Sequence, residues 1–131
     1  MSEVRPTPCE SCPYRRDVPS GVWAPEEYAK LLPFDRPTAE QPIGGFLCHT
    51  APGSWCHGWA VVHTTRGNEF DLLALRLQPC RVPAAAVPLF GSGREAAEHG
   101  LRDVKRPKAR AVKAVARLLG KSKRLRKENP L

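Results

Sequence analysis

Short runs of apolar residues at helical spacing dominate the pattern of this chain. After Pro25, the residues Tyr28, Leu31 and Leu32 follow at i, i+3 and i+4, which predicts the buried face of a short helix. Proline at the first helical position and two acids in the first turn favour a helix start there.

Two further segments predict helices in the middle of the chain. Residues 55–65 place Trp55 and Trp59 on one side, and residues 70–77 are apolar at helical spacing after Asn68, a potential N-cap. The apolar positions of the second segment are Phe70, Leu73, Ala74 and Leu77. We expect this second segment to be the main core element.

Two more helices are predicted after a Pro/Ala-rich connector over residues 79–88. Ser92 is expected to cap a short helix that ends at Gly100, and a final helix is expected from about residue 107 to about residue 127. Fourteen prolines and ten glycines interrupt the chain, so its apolar core is small and a structural metal would compensate. The pattern therefore predicts a small, mainly α, irregular, metal-stabilised domain with a C-terminal basic helix.

The positive charge is concentrated at the C-terminus. The formal net charge is +8, and residues 102–131 contain twelve Lys or Arg against two acids, whereas the first 101 residues contain nine against eleven. We therefore divide the chain into a metal-binding body over residues 1–100 and a basic amphipathic C-terminal helix or tail over residues 101–131. Such a charge distribution is typical of a protein with an anionic partner.

The C-terminal helix predicts contacts with phosphate groups. Its predicted apolar side consists of Val112, Val115, Ala116 and Leu119. The candidate nucleic-acid-binding residues are Lys113, Arg117, Lys121, Lys123, Arg124 and Arg126. Each cation would add salt-dependent affinity for nucleic acid. An acidic protein surface is the alternative partner, and a membrane surface fits less well because the apolar side lacks Trp and Phe. Without a partner, the helix would be a solvated basic helix docked on the body through Val112 and Leu119.

The sequence indicates neither a signal peptide nor a membrane span. The N-terminus lacks an apolar core, and no segment approaches the ~18 apolar residues that a span needs. We expect a cytoplasmic location. In a reducing compartment, five cysteines indicate metal ligands or buried thiols before disulfides.

Four of the cysteines form two pairs that predict a metal site. Cys9 and Cys12 have the Cys-x-x-Cys spacing of a knuckle, a tight turn that presents two sulfurs to one metal ion. Cys48 and Cys56 flank a Pro-Gly loop. Four thiolates at one centre would bind zinc or a [4Fe–4S] cluster. We expect zinc, which is common in small four-cysteine domains, although the proline after Cys12 and the nearby aromatic residues favour a cluster. A redox pair with buried thiols is the alternative. Cys80 is expected to be a free thiol.

Two histidines are possible alternative ligands. His49 follows Cys48, and His57 follows Cys56. Because adjacent side chains rarely point at one ion, we expect the cysteines to bind and these histidines to support them or to be exposed. His63 is expected to be half-buried.

A charged run, residues 15–17, follows the knuckle directly. We expect Arg15 or Arg16 to pair with Asp17 and hold the loop, and an anion contact beside the metal is the alternative. In the turn over residues 18–23, Gly21 is expected to take a positive φ and Trp23 to cover the core.

The combined pattern CxxCPYRRDVPSGVW, FLCH and CHGW resembles an uncharacterised domain family of bacteria and their phages with a CxxCP…CH…CxGW signature. The resemblance covers about residues 7–63 and implies a four-cysteine metal site without an established activity. A fainter similarity is to the WhiB-like regulators, which bind a [4Fe–4S] cluster. The Cys-Pro-Val-Arg step, Gly-Val-Trp turn and basic C-terminal segment of that family have counterparts in residues 12–15, residues 21–23 and the basic tail. That family, however, places all four cysteines before its Gly-Val-Trp turn, whereas Cys48 and Cys56 follow it here.

These observations predict a non-catalytic four-cysteine metal-binding protein that acts as a nucleic-acid-binding or transcription-regulatory accessory protein. The alternative is a [4Fe–4S] redox-sensing or protein-interaction module. Catalytic zinc keeps one position open for water, whereas four sulfur ligands close the site, so an enzyme is the less expected class.

Overall fold

Short helices joined by turns make up most of the fold. The computed structural model describes residues 3–48, 50–51 and 53–128, with side chains described up to residue 120. The α-helices are α1 Pro25–Ala29, α2 His57–Thr64, α3 Leu73–Leu77, α4 Gly93–Leu101 and α5 Ala109–Glu128. The strands are β1 Glu3–Val4 and β2 Ser54–Trp55, and 3₁₀ turns cover Leu32–Asp35, Thr38–Glu40 and Asn68–Phe70. The prediction of a small, mainly α and irregular fold is confirmed.

The N-terminal segment is held in a two-stranded parallel pairing. β1 lies beside β2 with Glu3 opposite Ser54 and Val4 opposite Trp55. The pairing continues one residue further, because the Arg5 amide donates to the Trp55 carbonyl at 3.1 Å. This pairing places the start of the chain next to the segment that carries Cys56.

The core is built around Trp59 of α2, which has no exposed surface. Its ring meets Phe34 edge-on at 5.6 Å between centroids and lies 5.4 Å from the ring of Trp55. Aromatic pairs at these distances add to the free energy of burial. The predicted helix over residues 55–65 therefore exists, but it begins at His57, and Trp55 belongs to β2.

The prediction that residues 70–77 form one helix and the main core element is wrong. Asn68 begins a 3₁₀ turn without capping a helix, and α3 starts only at Leu73. The reason is tertiary: Gln41 accepts a hydrogen bond from the Leu73 amide at 2.9 Å, and Thr38 donates to the Asp71 carbonyl at 2.6 Å. These side chains satisfy backbone groups that a continuous helix would have paired internally. Leu77 is consequently 58% exposed.

Helices α1 and α4 pack against each other. α1 begins at Pro25 as predicted, and Ser92 caps α4 as predicted by accepting a hydrogen bond from the Glu95 amide at 3.1 Å. A Cβ on Gly100 would lie 2.1 Å from the Tyr28 ring, so glycine is needed for this close packing. The prediction that Leu32 is buried is wrong, because Leu32 begins a 3₁₀ turn and is 44% exposed.

Helix α5 docks through its smallest apolar residues. Ala111 and Ala114 are buried against Val18 and Val22, and Trp23 packs at the edge of this cluster. Because alanine has only a methyl group, the helix axis approaches the loop over residues 18–22 closely. None of the described helices is long and apolar enough to cross a membrane.

The alternative prediction that α5 docks through Val112 and Leu119 is wrong. These side chains are 57% and 58% exposed and lie away from the docked face.

Candidate metal centre

The first cysteine pair is presented by two successive tight turns. The Cys12 amide donates to the Cys9 carbonyl at 3.1 Å, and the Arg15 amide donates to the Cys12 carbonyl at 3.0 Å. The Trp23 indole also donates to the Ser11 carbonyl at 2.8 Å. Both sulfur-bearing residues are buried, with Cys9 4% and Cys12 1% exposed. We call residues 9–12 the knuckle.

The second cysteine pair lies on two paired extended segments. The Cys48 amide donates to the Ser54 carbonyl and the Cys56 amide to the Phe46 carbonyl, both at 2.8 Å. Because side chains alternate along an extended segment, this register places Phe46, Cys48 and Cys56 on one face. That face is buried, whereas Leu47 between them is 50% exposed. A turn that includes Gly53 with φ +83° reverses the chain.

Gly58 lets the knuckle approach the first turn of α2. A Cβ at this position would lie 2.9 Å from the Cys12 sulfur and 2.5 Å from the Tyr14 Cβ. Cys56 immediately precedes α2, so this approach brings the Cys12 and Cys56 sulfurs to 3.7 Å.

The four thiols meet as two cross-pairs, each joining the knuckle to the second pair. The Cys12 and Cys56 sulfurs are in contact at 3.7 Å, and the Cys9 thiol interacts electrostatically with Cys48. The Cys48 sulfur is also 3.5 Å from the Arg5 guanidinium and 3.6 Å from the Thr50 hydroxyl oxygen. The four predicted site cysteines therefore come from distant parts of the chain to one buried region.

Each cross-pair favours one thiolate. The hydrogen bond from Cys9, supported by Thr50 and Arg5, lowers the pKa of Cys48 to about 4. Holding that hydrogen bond, together with burial, raises the pKa of Cys9.

The other cross-pair behaves in the same way. The hydrogen bond from Cys56 lowers the pKa of Cys12, helped by the backbone amides of Tyr14 and Gly58. The same hydrogen bond and burial raise the pKa of Cys56. A thiolate is favoured beside the N-terminus of α2 because the first amides of the helix have no partner within the helix and lie at the positive end of its dipole.

The thiols do not surround a single point. Among the described residues, no group of three or more His, Cys, Asp or Glu side chains has an arrangement that could hold a metal ion as it stands. All four site cysteines are free thiols, and so is Cys80, which is partly buried.

The histidine predictions have mixed outcomes. His57 is buried, and its Nδ1 donates to the Arg5 carbonyl at 3.0 Å. Its Nε2 has no hydrogen-bond partner within the described part of the chain. His49 lies outside the described residues.

The prediction that His63 is half-buried is wrong. It is fully buried, its Nε2 lies 2.9 Å from the Tyr14 hydroxyl, and its Nδ1 lies 3.7 Å from Asp35. Burial lowers the pKa of His63 to about 4. This network ties the segment after the knuckle to the core.

The predicted Arg–Asp pair beside the knuckle is confirmed. Arg15 donates twice to Asp17, both at 2.8 Å, and once to the Cys9 carbonyl at 3.4 Å. The hydrogen bonds from Arg15 lower the pKa of Asp17. Gly21 takes the predicted positive φ of +80°.

The basic side of α5 runs along the edge of the knuckle. Arg110 donates to the Asp17 carbonyl at 3.1 Å, Arg117 lies 3.8 Å from Glu10, and Lys113 is exposed. The side chains of four further predicted nucleic-acid-binding residues lie outside the described part: Lys121, Lys123, Arg124 and Arg126.

Sequence reasoning missed Arg5 and Gly58 as site residues. Arg5 gave no local signal, because its contact with Cys48 depends on the pairing of β1 with β2. Gly58 did give a signal, since a glycine in the first turn of a helix beside a candidate ligand indicates a close approach.

A family model for a family of unknown function, DUF6283, matches residues 4–117, so the chain belongs to that family. No curated protein and no solved structure matches the chain.

Proposed function

We propose that this member of the DUF6283 family is a non-catalytic zinc-binding protein that acts as a nucleic-acid-binding or transcription-regulatory accessory protein. Cys9, Cys12, Cys48 and Cys56 are the zinc ligands in this proposal, and α5 supplies the phosphate contacts. The observation that carries it is the convergence of four buried thiols from distant segments at the N-terminus of α2.

The separation of the sulfurs supports zinc over a cluster. Tetrahedral zinc with Zn–S distances of about 2.3 Å places its sulfur ligands about 3.8 Å apart. The Cys12 and Cys56 sulfurs are 3.7 Å apart. A [4Fe–4S] cluster, the alternative, interposes iron and sulfide atoms between its thiolates and would need a wider spacing.

The charge around the thiols also supports a divalent cation. The two cross-pairs favour two thiolates, whose negative charge a divalent cation would neutralise. In this proposal, movement of Cys9 and Cys48 toward the other two sulfurs completes the site. A reducing, cytoplasmic setting belongs to the proposal because it keeps the thiols available as ligands.

The nucleic-acid part of the proposal depends on how α5 is attached. Its docked face is apolar, so Lys113 points into solvent, and six further Lys or Arg follow from residue 117 onward. Cations on an exposed helix suit phosphate groups. An acidic protein surface would meet the same cations and is the alternative partner.

Metal analysis of protein purified without oxygen tests the metal. We expect colourless protein with one zinc per chain, and we expect Cys12→Ser to lose it while Cys80→Ser retains it. A brown protein containing iron and sulfide would show that the cofactor is a [4Fe–4S] cluster and not zinc. Protein of correct fold without metal would refute the proposal.

Binding to a labelled DNA or RNA duplex over a salt series tests the partner. Removing one phosphate-binding cation should reduce the slope of log K against log salt by about 0.9 for B-DNA. We expect Lys113→Gln combined with Lys121→Gln to weaken binding, whereas Lys30→Gln at the C-cap of α1 should not. No binding at low salt would leave an acidic protein surface as the partner.

A further inference from the structure

We infer that oxidation of this protein forms two specific disulfides, Cys12–Cys56 and Cys9–Cys48, and that the adjacent Cys-x-x-Cys pair does not close on itself. The inference depends on the geometry of the thiols and holds whether or not they bind zinc.

The distances select this connectivity. Four cysteines allow three pairings, and the sequence spacing alone suggests Cys9–Cys12, as in Cys-x-x-Cys redox motifs. In the structure, however, the Cys12 and Cys56 sulfurs lie 3.7 Å apart, and pairing them leaves Cys9 and Cys48 as the second pair. A disulfide has an S–S length of about 2.05 Å, so the Cys12 and Cys56 sulfurs must approach by less than about 2 Å.

The knuckle also resists the local pairing. Its turn is fixed by the hydrogen bond from the Cys12 amide to the Cys9 carbonyl and by the indole of Trp23 on the Ser11 carbonyl. The Cys9 sulfur lies 3.8 Å from the Ser11 hydroxyl oxygen. The Cys12 and Cys56 sulfurs, by contrast, are already 3.7 Å apart.

Cys48 is the entry point for the oxidant. It is the most exposed of the four site cysteines at 7%, and Arg5 and Thr50 lie against its sulfur. A peroxide oxidises the Cys48 thiol to a sulfenic acid and is itself reduced to water. The Cys9 thiol then attacks that sulfur, forming the S–S bond and releasing water. A second equivalent of peroxide converts Cys12 and Cys56 into the other disulfide and two waters.

Peptide mapping of the full-length protein after hydrogen peroxide treatment tests the inference. Cleavage after glutamate at Glu10 separates Cys9 from Cys12, and cleavage after Trp55 separates Cys48 from Cys56. Digestion with both specificities, after blocking remaining thiols at low pH, should link residues 4–10 to residues 48–55 and residues 11–14 to residues 56–59. We expect these linkages to exceed all others at least ten-fold.

Two controls keep the result interpretable. Cys80→Ser should leave both linkages unchanged, and Cys48→Ser should leave the Cys12–Cys56 linkage intact. Linkage of Cys9 to Cys12 or to Cys56 in the unsubstituted protein would overturn the inference, as would four thiols that stay reduced while Cys80 is oxidised. The expected linkages in protein that never binds metal would refute only the zinc proposal. Other linkages in zinc-loaded protein would refute only this inference.

Discussion

Gly58 shows how one residue fixes the distance between two segments. The Cys12 sulfur and the Tyr14 Cβ occupy the space in which any side chain at position 58 would begin. A glycine there costs helix stability in α2, because glycine is about 1 kcal/mol less favourable than alanine within a helix. Glycine at position 58 therefore lowers the helix propensity of α2 but allows the knuckle to approach it.

Gly58→Ala should destabilise the protein by about 1–3 kcal/mol, because the new methyl group overlaps the knuckle. Under the zinc proposal, the substitution should also reduce metal retention, since it moves Cys12 away from Cys56. Urea unfolding and metal analysis measure both effects. Gly44→Ala is the matched control, because a Cβ there has open space around it. Equal stability of the two variants would contradict the expectation.

His63 is a second residue whose environment predicts a measurable property. Burial lowers its pKa to about 4, below the ordinary value of 6.5. As the pH falls below 6.5, the unfolded chain takes up a proton at this residue before the folded protein does. Its contribution to stability is therefore complete above pH 6.5 and is lost as the pH falls toward 4.

We expect the free energy of unfolding to fall by about 3 kcal/mol more in the native protein than in His63→Gln between about pH 7 and pH 4. Urea unfolding at a series of pH values measures the two slopes. Other acids titrate in both proteins, so the difference between slopes isolates His63. Parallel curves would contradict the expectation, because they would show that the imidazole has the same pKa in the folded and unfolded states.

Among the elements, α5 has the clearest division between faces. Ala111 and Ala114 are buried against the loop over residues 18–22, and Ala116, on the same helix, is exposed. This division allows one substitution to be compared on both faces.

Ala111→Glu should cost about 2 kcal/mol or more, because it places a carboxylate in an apolar contact, and Ala116→Glu should change stability by less than about 0.5 kcal/mol. Limited proteolysis should cut α5 faster in the first variant only. Equal rates of digestion of the two variants would show that α5 docks through a different face.

Helix starts were predictable from local signals, whereas the faces that helices bury were not. Pro25 and Ser92 mark the N-termini of α1 and α4 through backbone chemistry that acts within one turn. The docked face of α5 depends on Val18 and Val22, which are distant in sequence. In the same way, the contacts of Gln41 with the start of α3 have no local signature.

At the scale of the whole molecule, the knuckle connects the thiols to α5. Trp23 donates to the Ser11 carbonyl and also packs beside the cluster that holds α5. Arg117 of α5 lies 3.8 Å from Glu10, between the two knuckle cysteines. A change in the conformation of the knuckle should therefore alter the docking of α5.

Under the zinc proposal, a strong chelator should lower the Tm of the protein by about 10 °C or more, because metal binding energy contributes to folding in small domains. Proteolysis of α5 should accelerate at the same time. Re-addition of zinc should restore both properties, and Cys80→Ser should behave as the unsubstituted protein. Superimposable melting curves with and without chelator would show that the body folds without metal.

The candidate site was predictable in its members but not in its pairing. The spacing of Cys9 with Cys12, and the presence of a second pair, indicated which thiols to consider. The sequence could not show that the Cys12 sulfur contacts that of Cys56, because this contact depends on how the knuckle packs against α2.

The pairing of β1 with β2 has a consequence for synthesis on the ribosome. Val4 and Arg5 can find their partner only after Trp55 has emerged. During that interval the knuckle thiols have neither Cys48 nor Cys56 beside them, so the nascent chain is exposed to adventitious copper or iron and to thiol-reactive metabolites. Slow translation through residues 13–47 should therefore increase chemical damage at Cys9 and Cys12 in the finished protein.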